Sequence, residues 1–322
     1  MTEGSALKIA VLDDWQSVAH NVVDWTALEP VGEVSFLHDY PADTATLAAR
    51  LKDFEVICVM RERTVFDDAL LSQLPRLKLL VTGGMRNAAL DLKAAARLGI
   101  TVAGTDSYKY AAPELTWALI MAVTRNLVAE ANSLRAGHWQ IGLGSDLHGK
   151  TLGIVGLGSI GQKIARYAKA FDMNVIAWSE NLTAERAAEH GVTAVSKKAL
   201  FEQSDIVSVN LVLSERSRGL IDAQSLQRMK PTAYLVNTAR GPIVDEDALI
   251  NVLQQKKIAG AALDVYSVEP LPADHPFRTL PTVLATPHVG YVTEHNYRMF
   301  FSQMIEDILA WHAGAPIRVF AS

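Results

Sequence analysis

Two α/β domains, each a doubly wound parallel sheet covered by helices on both faces, are what this sequence predicts, and three observations predict them. Short apolar runs alternate with helical patterns through most of the chain, which implies parallel pairing and strands buried on both sides. One stretch, residues 151–179 (TLGIVGLGSIGQKIARYAKAFDMNVIAWS), reads as strand, tight glycine turn, helix and strand. At 322 residues and 49% hydrophobic, the chain can bury a large core, and its length suits about two domains.

The elements follow in order. Residues 7–12 form a first strand, and the loop-rich segment after Asp13-Asp14-Trp15 yields no clear element before Thr44. Thr44 caps a helix to about residue 52; strand 56–60, helix 66–73, strand 77–81, helix 90–98 and strand 100–103 follow, with Gly99 ending the helix before it. A single long helix is expected from Glu114 to about Arg135, carrying the chain into the second domain. There the alternation resumes, with strands 152–155, 175–178, 206–211, 233–237, 260–265 and 283–285, a six-stranded sheet. Between them lie helices 184–190, 197–203 and 245–255 and the helix after the glycine turn. The closing amphipathic stretch, 293–313, is helical with no strand after it, so it is expected to pack back on the first domain.

Composition excludes several classes. A net charge of -5 and a pI near 6.0 offer no basic footprint for nucleic acid or an anionic membrane surface. The opening MTEGSALKIAVL lacks the basic and apolar regions of a secretion signal, and the apolar stretch 115–123 is too short to cross a bilayer. The single cysteine, Cys58, sits in the apolar run Val56-Ile57-Cys58-Val59, so it reads as a buried strand residue, with no disulfide framework or thiolate metal site. No metal site is predicted, and a cytoplasmic location is expected.

The glycine turn carries the first chemistry. Gly156 permits the turn, Gly158 lets backbone approach a pyrophosphate, and Gly161 lets helix and strand pack closely, while Ser159 and Ile160 open the helix whose free N–H groups face the anion. A Walker loop is excluded, because Gln162-Lys163 follows Gly161 where Lys-Ser/Thr is needed. The flanking strand, helix and second strand make this a dinucleotide site.

Ligands in such sheets bind beyond the carboxyl ends of the strands. Three polar residues stand there: Arg240 in VNTARGPIVDE, Glu269 in LDVYSVEPL and His288 in ATPHVGY. Singly, each reads as a surface ion pair, a solvated loop residue or a structural histidine. Together, beside a nicotinamide, they suit hydride transfer to a ketone, which puts negative charge on the carbonyl oxygen and calls for a proton donor and a cation. A glutamate accepting from the imidazole favours the imidazolium and keeps the donor charged near neutral pH.

The motifs GKTLGIVGLGSIGQ, VNTARGPIVDEDAL, AGAALDVYSVEPL and LATPHVGYVT, in this order over nearly the whole length, resemble the D-isomer-specific 2-hydroxyacid dehydrogenase family. The resemblance implies a Rossmann cofactor domain, 105–292, inserted into a flavodoxin-like substrate domain, 1–104 and 293–322. It implies an NAD(P)-dependent oxidoreductase of small D-2-hydroxy or 2-oxo acids, in which Arg240 binds the substrate carboxylate and carbonyl, Glu269 supports His288, and His288 transfers the proton. Asp264 is implied to hold the nicotinamide carboxamide, with Thr238 and Gly290 completing the cofactor set. A homodimer is expected, with no appended regulatory domain after Ser322. Formate dehydrogenases share the pattern but carry glutamine in place of Glu269. A cofactor-sensing binding protein like the fold's corepressor relatives is the alternative from a different class.

Two departures bear on specificity. The turn Thr82-Gly83-Gly84-Met85-Arg86-Asn87 stands where similar enzymes grip the substrate carboxylate with backbone N–H groups, with Met85-Arg86-Asn87 unusual at its core. Arg86, with Arg61 and Arg63 of VMRERTV, is placed to meet a second anionic group; for Arg63 a solvated charge cluster is the equal alternative. Tyr291 and Trp139 either shape the substrate pocket or simply pack. At the end of the second strand of the cofactor domain Ser179 stands where NAD enzymes usually place an aspartate, with Glu180 next and no basic neighbour among Asn181-Leu182-Thr183. NAD is therefore favoured and NADP possible. Phosphohydroxypyruvate, hydroxypyruvate, glyoxylate and bulkier 2-oxo acids all remain open as substrates.

Overall fold

The computed structural model describes residues 6–39 and 43–321, so residues 1–5, part of the stretch read for a targeting signal, lie outside it. Contacts divide the chain into two units, Met1–Tyr108 with Val292–Ser322, and Lys109–Tyr291.

In the first unit the chain runs β1 (Leu7–Val11), α1 (Ala19–Val22), β2 (Gly32–Phe36), α2 (Thr44–Leu51), β3 (Val56–Val59), α3 (Asp68–Leu71), β4 (Leu79–Thr82), α4 (Leu92–Arg97) and β5 (Thr101–Gly104). The five strands are parallel in the order β2-β1-β3-β4-β5, the flavodoxin-like arrangement. Its centre is VICV and LLVT, buried throughout, as parallel strands covered on both faces must be. Helices α2, α3 and α4 each start on an aspartate whose carboxylate accepts an amide of the first turn: Asp43 from Thr46, Asp67 from Leu70 and Asp91 from Ala94.

The unit is completed by α12 (Glu294–His312), which packs on β4 and buries Phe300, Phe301, Met304, Ile305 and Ile308. After it the chain meets the free edge of β5, where Gly104 N donates to Arg318 O and Phe320 N to Val102 O. Cys58 is buried in β3, and burial, with Asp307 nearby, pushes its thiol up.

Asp307 of α12 is itself 1% exposed, and burial pushes its carboxyl up from 3.8 to about 7 against the pull of Arg318, whose Nε donates to Oδ1 at 2.9 Å. The folded state therefore holds a proton that the unfolded chain releases between about pH 4 and pH 7. That contribution is fully present below the lower value and is lost as pH rises through the upper one. Asp307→Asn is expected to flatten this fall: thermal melts should show it gaining on the parent at pH 8 relative to pH 4.

The second unit contains α5 (Ala111–Thr124), α6 (Leu127–Arg135), β6 (Thr151–Val155), α7 (Ser159–Ala170), β7 (Asn174–Trp178), α8 (Ala184–Ala188), β8 (Thr193–Ala194) and α9 (Lys197–Gln203). It continues through β9 (Ile206–Val209), α10 (Ala223–Gln227), β10 (Tyr234–Asn237), α11 (Glu246–Gln254), β11 (Gly260–Leu263) and β12 (Val283–Ala285). Strands pair in parallel in the order β12-β11-β10-β9-β6-β7-β8, so the winding reverses between β6 and β9. The sheet has seven strands where six were expected; the seventh, β8, is a two-residue edge strand, too short to leave a pattern in the sequence.

The expected single helix over 114–135 is also corrected. It breaks into α5 and α6 at Asn126, whose φ of 51° is left-handed, a conformation asparagine tolerates better than most residues. The Asn126 amide then donates to Leu143 O at 3.3 Å, tying down the segment that follows α6.

Candidate active site

The glycine turn lies at the carboxyl end of β6, at the switch point of the second unit's sheet. Gly156 has φ 98°, and a Cβ there would stand 2.8 Å from Leu211 Cδ2 and 3.0 Å from Asn210 O, so only glycine turns here. Gly161 is closed on the other side, its would-be Cβ 2.2 Å from Gly156 O. At Gly158 nothing lies within 4 Å of that position, leaving the backbone open to a ligand. Gly158 is also the residue before α7, whose first residues Ser159 and Ile160 offer orphan amides beyond the helix end. A turn closed at two glycines and open at the middle one fits a dinucleotide pyrophosphate. Ser179 is half-buried directly after β7, and Glu180 is exposed. Thr238, after β10, has its hydroxyl 2.7 Å from that of Thr116 on α5.

Three loops follow the neighbouring strands β10, β11 and β12 and bring the predicted polar residues forward. His288 Nδ1 donates to Glu269 Oε2 at 2.6 Å, which leaves Nε2 as the nitrogen for proton exchange. Glu269 is itself oriented: its Oε1 accepts Tyr266 N at 2.9 Å. His288 sits in the left-handed region with φ 51°. Tyr291 faces it edge-on, the ring centroids 5.7 Å apart. Arg240 is half-buried in the loop after β10, where its Nη1 donates to Ala239 O at 2.7 Å.

Asp264 is fully buried. Its carboxylate accepts Thr286 Oγ1 at 2.6 Å, Val289 N at 2.9 Å and Gly290 N at 2.9 Å, so it fixes the loop that carries His288. Burial pushes this carboxyl up, while Thr286, the two amides and His288 pull it down. Gly290 gives the carboxylate room, since a Cβ there would be 3.2 Å from Asp264 Oδ2. Trp139 contributes no such packing: it is 76% exposed on the segment after α6.

Sequence reasoning missed two residues of this frame. Gly241 lies so close to the next loop that a Cβ would be 2.0 Å from the Tyr266 carbonyl carbon. The Tyr266 hydroxyl stands 3.1 Å from Leu263 O and 2.8 Å from Thr286 O, joining the ends of β11 and β12. Both lie inside quoted motifs, TARGP and LDVYSVEP, and that adjacency was the available signal.

In the first unit, the loops after β3 and β4 meet at their carboxyl ends. Arg61, with φ 59°, donates from Nη1 to Gly83 O at 3.3 Å and holds its Nε 3.7 Å from Glu62 Oε2. Gly84, φ 88°, admits the guanidinium: a Cβ there would be 2.1 Å from Arg61 Nη1. Its amide donates to Thr105 Oγ1 at 2.8 Å, and Asn87 Nδ2 donates to Arg61 O at 2.6 Å. Met85, at 41%, and Arg86 project into solvent.

Arg63 belongs to neither sequence alternative. It donates to Asp13 O and, at 3.2 Å, to the Tyr297 hydroxyl, and its guanidinium lies 4.6 Å over the Trp15 ring. These contacts make it a tie between the β1 and β3 loops and α12. Among the described residues no group of three His, Cys, Asp or Glu could hold a metal, and no helix is long and apolar enough to cross a membrane.

A doubly wound sheet with an open glycine cradle after β6, and a histidine–glutamate pair after β12 and β11, four and three strands away, define a dinucleotide-dependent oxidoreductase. Comparison carries this further: residues 117–290 match the model of the D-isomer specific 2-hydroxyacid dehydrogenase, NAD binding domain, and the chain belongs to that family. The chain is 36% identical to a glyoxylate reductase of Aeropyrum pernix over 284 residues, 85% of this chain and 84% of that one. It is 33% identical over 293 residues to a D-3-phosphoglycerate dehydrogenase of Bacillus subtilis, covering 90% of this chain but only 55% of that longer protein. Among solved structures, a phosphoglycerate oxidoreductase from Vibrio cholerae superposes with a TM-score of 0.92 at 38% identity, over 96% of this chain and 100% of that one. The protein is thus a hydride-transferring oxidoreductase of the 2-hydroxyacid class.

Proposed function

We propose that the protein is an NAD-preferring reductase of small 2-oxo acids, forming D-2-hydroxy acids, with His288 as proton donor. The observation that carries this is the 2.6 Å bond from His288 Nδ1 to Glu269 Oε2. It fixes the ring by Nδ1 and leaves Nε2 as the nitrogen that hands a proton to the substrate. We assign Lys109–Tyr291 to the cofactor and the other unit to the substrate. Bound at Gly156, Gly158, Ser159, Ile160 and Gly161, a nicotinamide dinucleotide supplies the hydride. Arg240 stabilises charge on the carbonyl oxygen and holds the substrate carboxylate. Asp264, fully buried and engaged by three protein donors, serves the cofactor by fixing the Thr286–Gly290 backbone rather than by an exposed oxygen.

In the first unit, the amides of Met85 and Arg86 are assigned to the substrate carboxylate, with Gly84 shaping the turn, its own amide held by Thr105 Oγ1 at 2.8 Å. Arg61, drawn onto Gly83 O, shapes that turn, and exposed Arg86 is the cation left to meet a second anionic group on the substrate. Turnover of a panel of 2-oxo acids with NADH and NADPH tests this: acids with a phosphoryl or second carboxyl group should be the better substrates, and Arg86→Ala should abolish that preference. Equal loss on all members would remove Arg86 from the assignment.

Glu180 and the lack of a basic neighbour after Ser179 support NAD, because a carboxylate repels a 2′-phosphate. Ser179→Asp is expected to raise KM for NADPH by about tenfold, roughly 1.4 kcal/mol, and to lower it for NADH. The exposed apolar side chains Leu127, Val128, Leu134, Trp139, Ile141 and Leu143 support a homodimer closing over this segment. Sedimentation at twice the 35.1 kDa chain mass is the expected result. Buried Cys58, the single cysteine, suits a reducing cytoplasm.

A further inference from the structure

Behind the His288–Glu269 pair stands a second histidine–glutamate pair. Glu246, near the start of α11, accepts Ser267 N on Oε2 at 3.0 Å, and its Oε1 lies 3.3 Å from His275 Nε2. Ser267 follows Tyr266, whose own amide donates to Glu269 Oε1 at 2.9 Å. Two adjacent amides of one loop are thus held by two carboxylates, one of which touches His288.

The histidine is committed to one tautomer. Phe277 N donates to His275 Nδ1 at 3.2 Å, and a backbone amide can only donate, so Nδ1 carries no proton and Nε2–H points at Glu246. His275 and Glu246 are both largely buried, with side-chain exposures of 14% and 21%, and the Phe277 ring lies 4.8 Å from the imidazole. This is a built contact, remote in sequence, on the loop that carries Glu269.

We propose that Glu246 and His275 are positioning residues for proton transfer: His275 orients Glu246, Glu246 clamps Ser267, and the clamped loop holds Glu269 against His288. The proposal rests on the reading of His288 as proton donor. Carboxylates facing His288 are Glu269 and Asp264, and Tyr291 is the neighbouring ring; Tyr266 and Arg278 flank the Glu269 loop. A change at His275 alters none of these groups directly, so any effect on His288 must pass through the loop.

Glu246→Ala can fail to fold, so the test uses two substitutions of His275. His275→Asn keeps an acceptor for Phe277 N but cannot reach Glu246; His275→Gln keeps a donor toward Glu246 but gives up the short cap. In the cofactor-free protein, the His288 ring resonance, assigned by its loss in His288→Asn, is titrated by NMR. Alongside it, the pH above which 2-oxo acid reduction declines is measured in the complete enzyme with NADH. His275→Asn is expected to move both to lower pH by about half a unit or more, because a loosened Glu269 favours the imidazolium less. His275→Gln should stay with the parent.

Glu269→Gln is the reference and should move both readouts further. A shift in Glu269→Gln but none in His275→Asn overturns the relay and leaves the proton donor standing. A shift in His275→Gln with none in His275→Asn overturns the relay in favour of a role in capping Phe277, and equal shifts in both overturn it in favour of packing by the imidazole ring. No shift in Glu269→Gln removes Glu269 from its support of His288 and overturns the relay with it, whereas the proton-donor reading itself falls only if His288→Asn keeps its rate.

Discussion

Replacing His288 by asparagine is expected to slow 2-oxo acid reduction by about 10²–10⁴-fold, the range a positioned general acid contributes. Asparagine is the right replacement because His288 has φ 51°, and among non-glycine residues asparagine best tolerates that left-handed backbone. The Thr286–Gly290 loop should therefore stay on Asp264, which holds it through three hydrogen bonds to Thr286, Val289 and Gly290. Affinity for NADH, measured by calorimetry, should change little, since the glycine cradle is untouched. A kcat loss of less than about tenfold, with the variant folded, would remove His288 from the role of donor.

The second large effect is predicted at Gly241, where the cost is steric. A methyl group there would lie 2.0 Å from Tyr266 C, 2.1 Å from Tyr266 O and 2.5 Å from Ser267 N, all of them backbone atoms with no rotamer to move. Gly241→Ala must push the Arg240 loop away from the Glu269 loop. The expected penalty is about 3 kcal/mol, which lowers the melting temperature by roughly 6–12 °C in a unit of this size. Activity should fall even where the protein stays folded, because Arg240 and Glu269 no longer share one frame. Gly158→Ala is the matched control: nothing lies within 4 Å of its Cβ position, so melting should be unchanged and the loss confined to cofactor affinity.

Much of this architecture could be read from residues because burial and period coincide. Apolar runs such as VICV and LLVT are central parallel strands, and α9 occupies the residues expected, 197–203, starting on a capping Ser196. What escaped was weakly patterned: β2 is a partly exposed edge strand and β8 has two residues. The α5–α6 break escaped for a different reason, since one left-handed asparagine interrupts a run whose composition stays helical. In the site, Arg240, Glu269 and His288 were legible as strand-end residues of opposite charge or proton-donor chemistry. Their support was not. Glu246 and His275 are 29 positions apart, and nothing local marks them as partners. Likewise, the Arg-Glu-Arg run gives no hint that Arg63 is spent on Asp13, Trp15 and Tyr297 while Arg86 stays in solvent.

The first unit is written in two instalments, with Lys109–Tyr291 between them. Its strands β1 to β5 leave the ribosome early, but Phe300, which sits 3.2 Å from where a Gly83 Cβ would be, and the Phe320 bond to Val102 arrive last. Translation order and folding order therefore differ. The later-encoded but continuous second unit can complete its core first, while the nascent first sheet waits with β4 uncovered and the β5 edge open. That interval exposes apolar strand to other chains, and it makes the last helix a timing element in biogenesis: slowing its synthesis should lengthen dependence on chaperones without altering the finished enzyme.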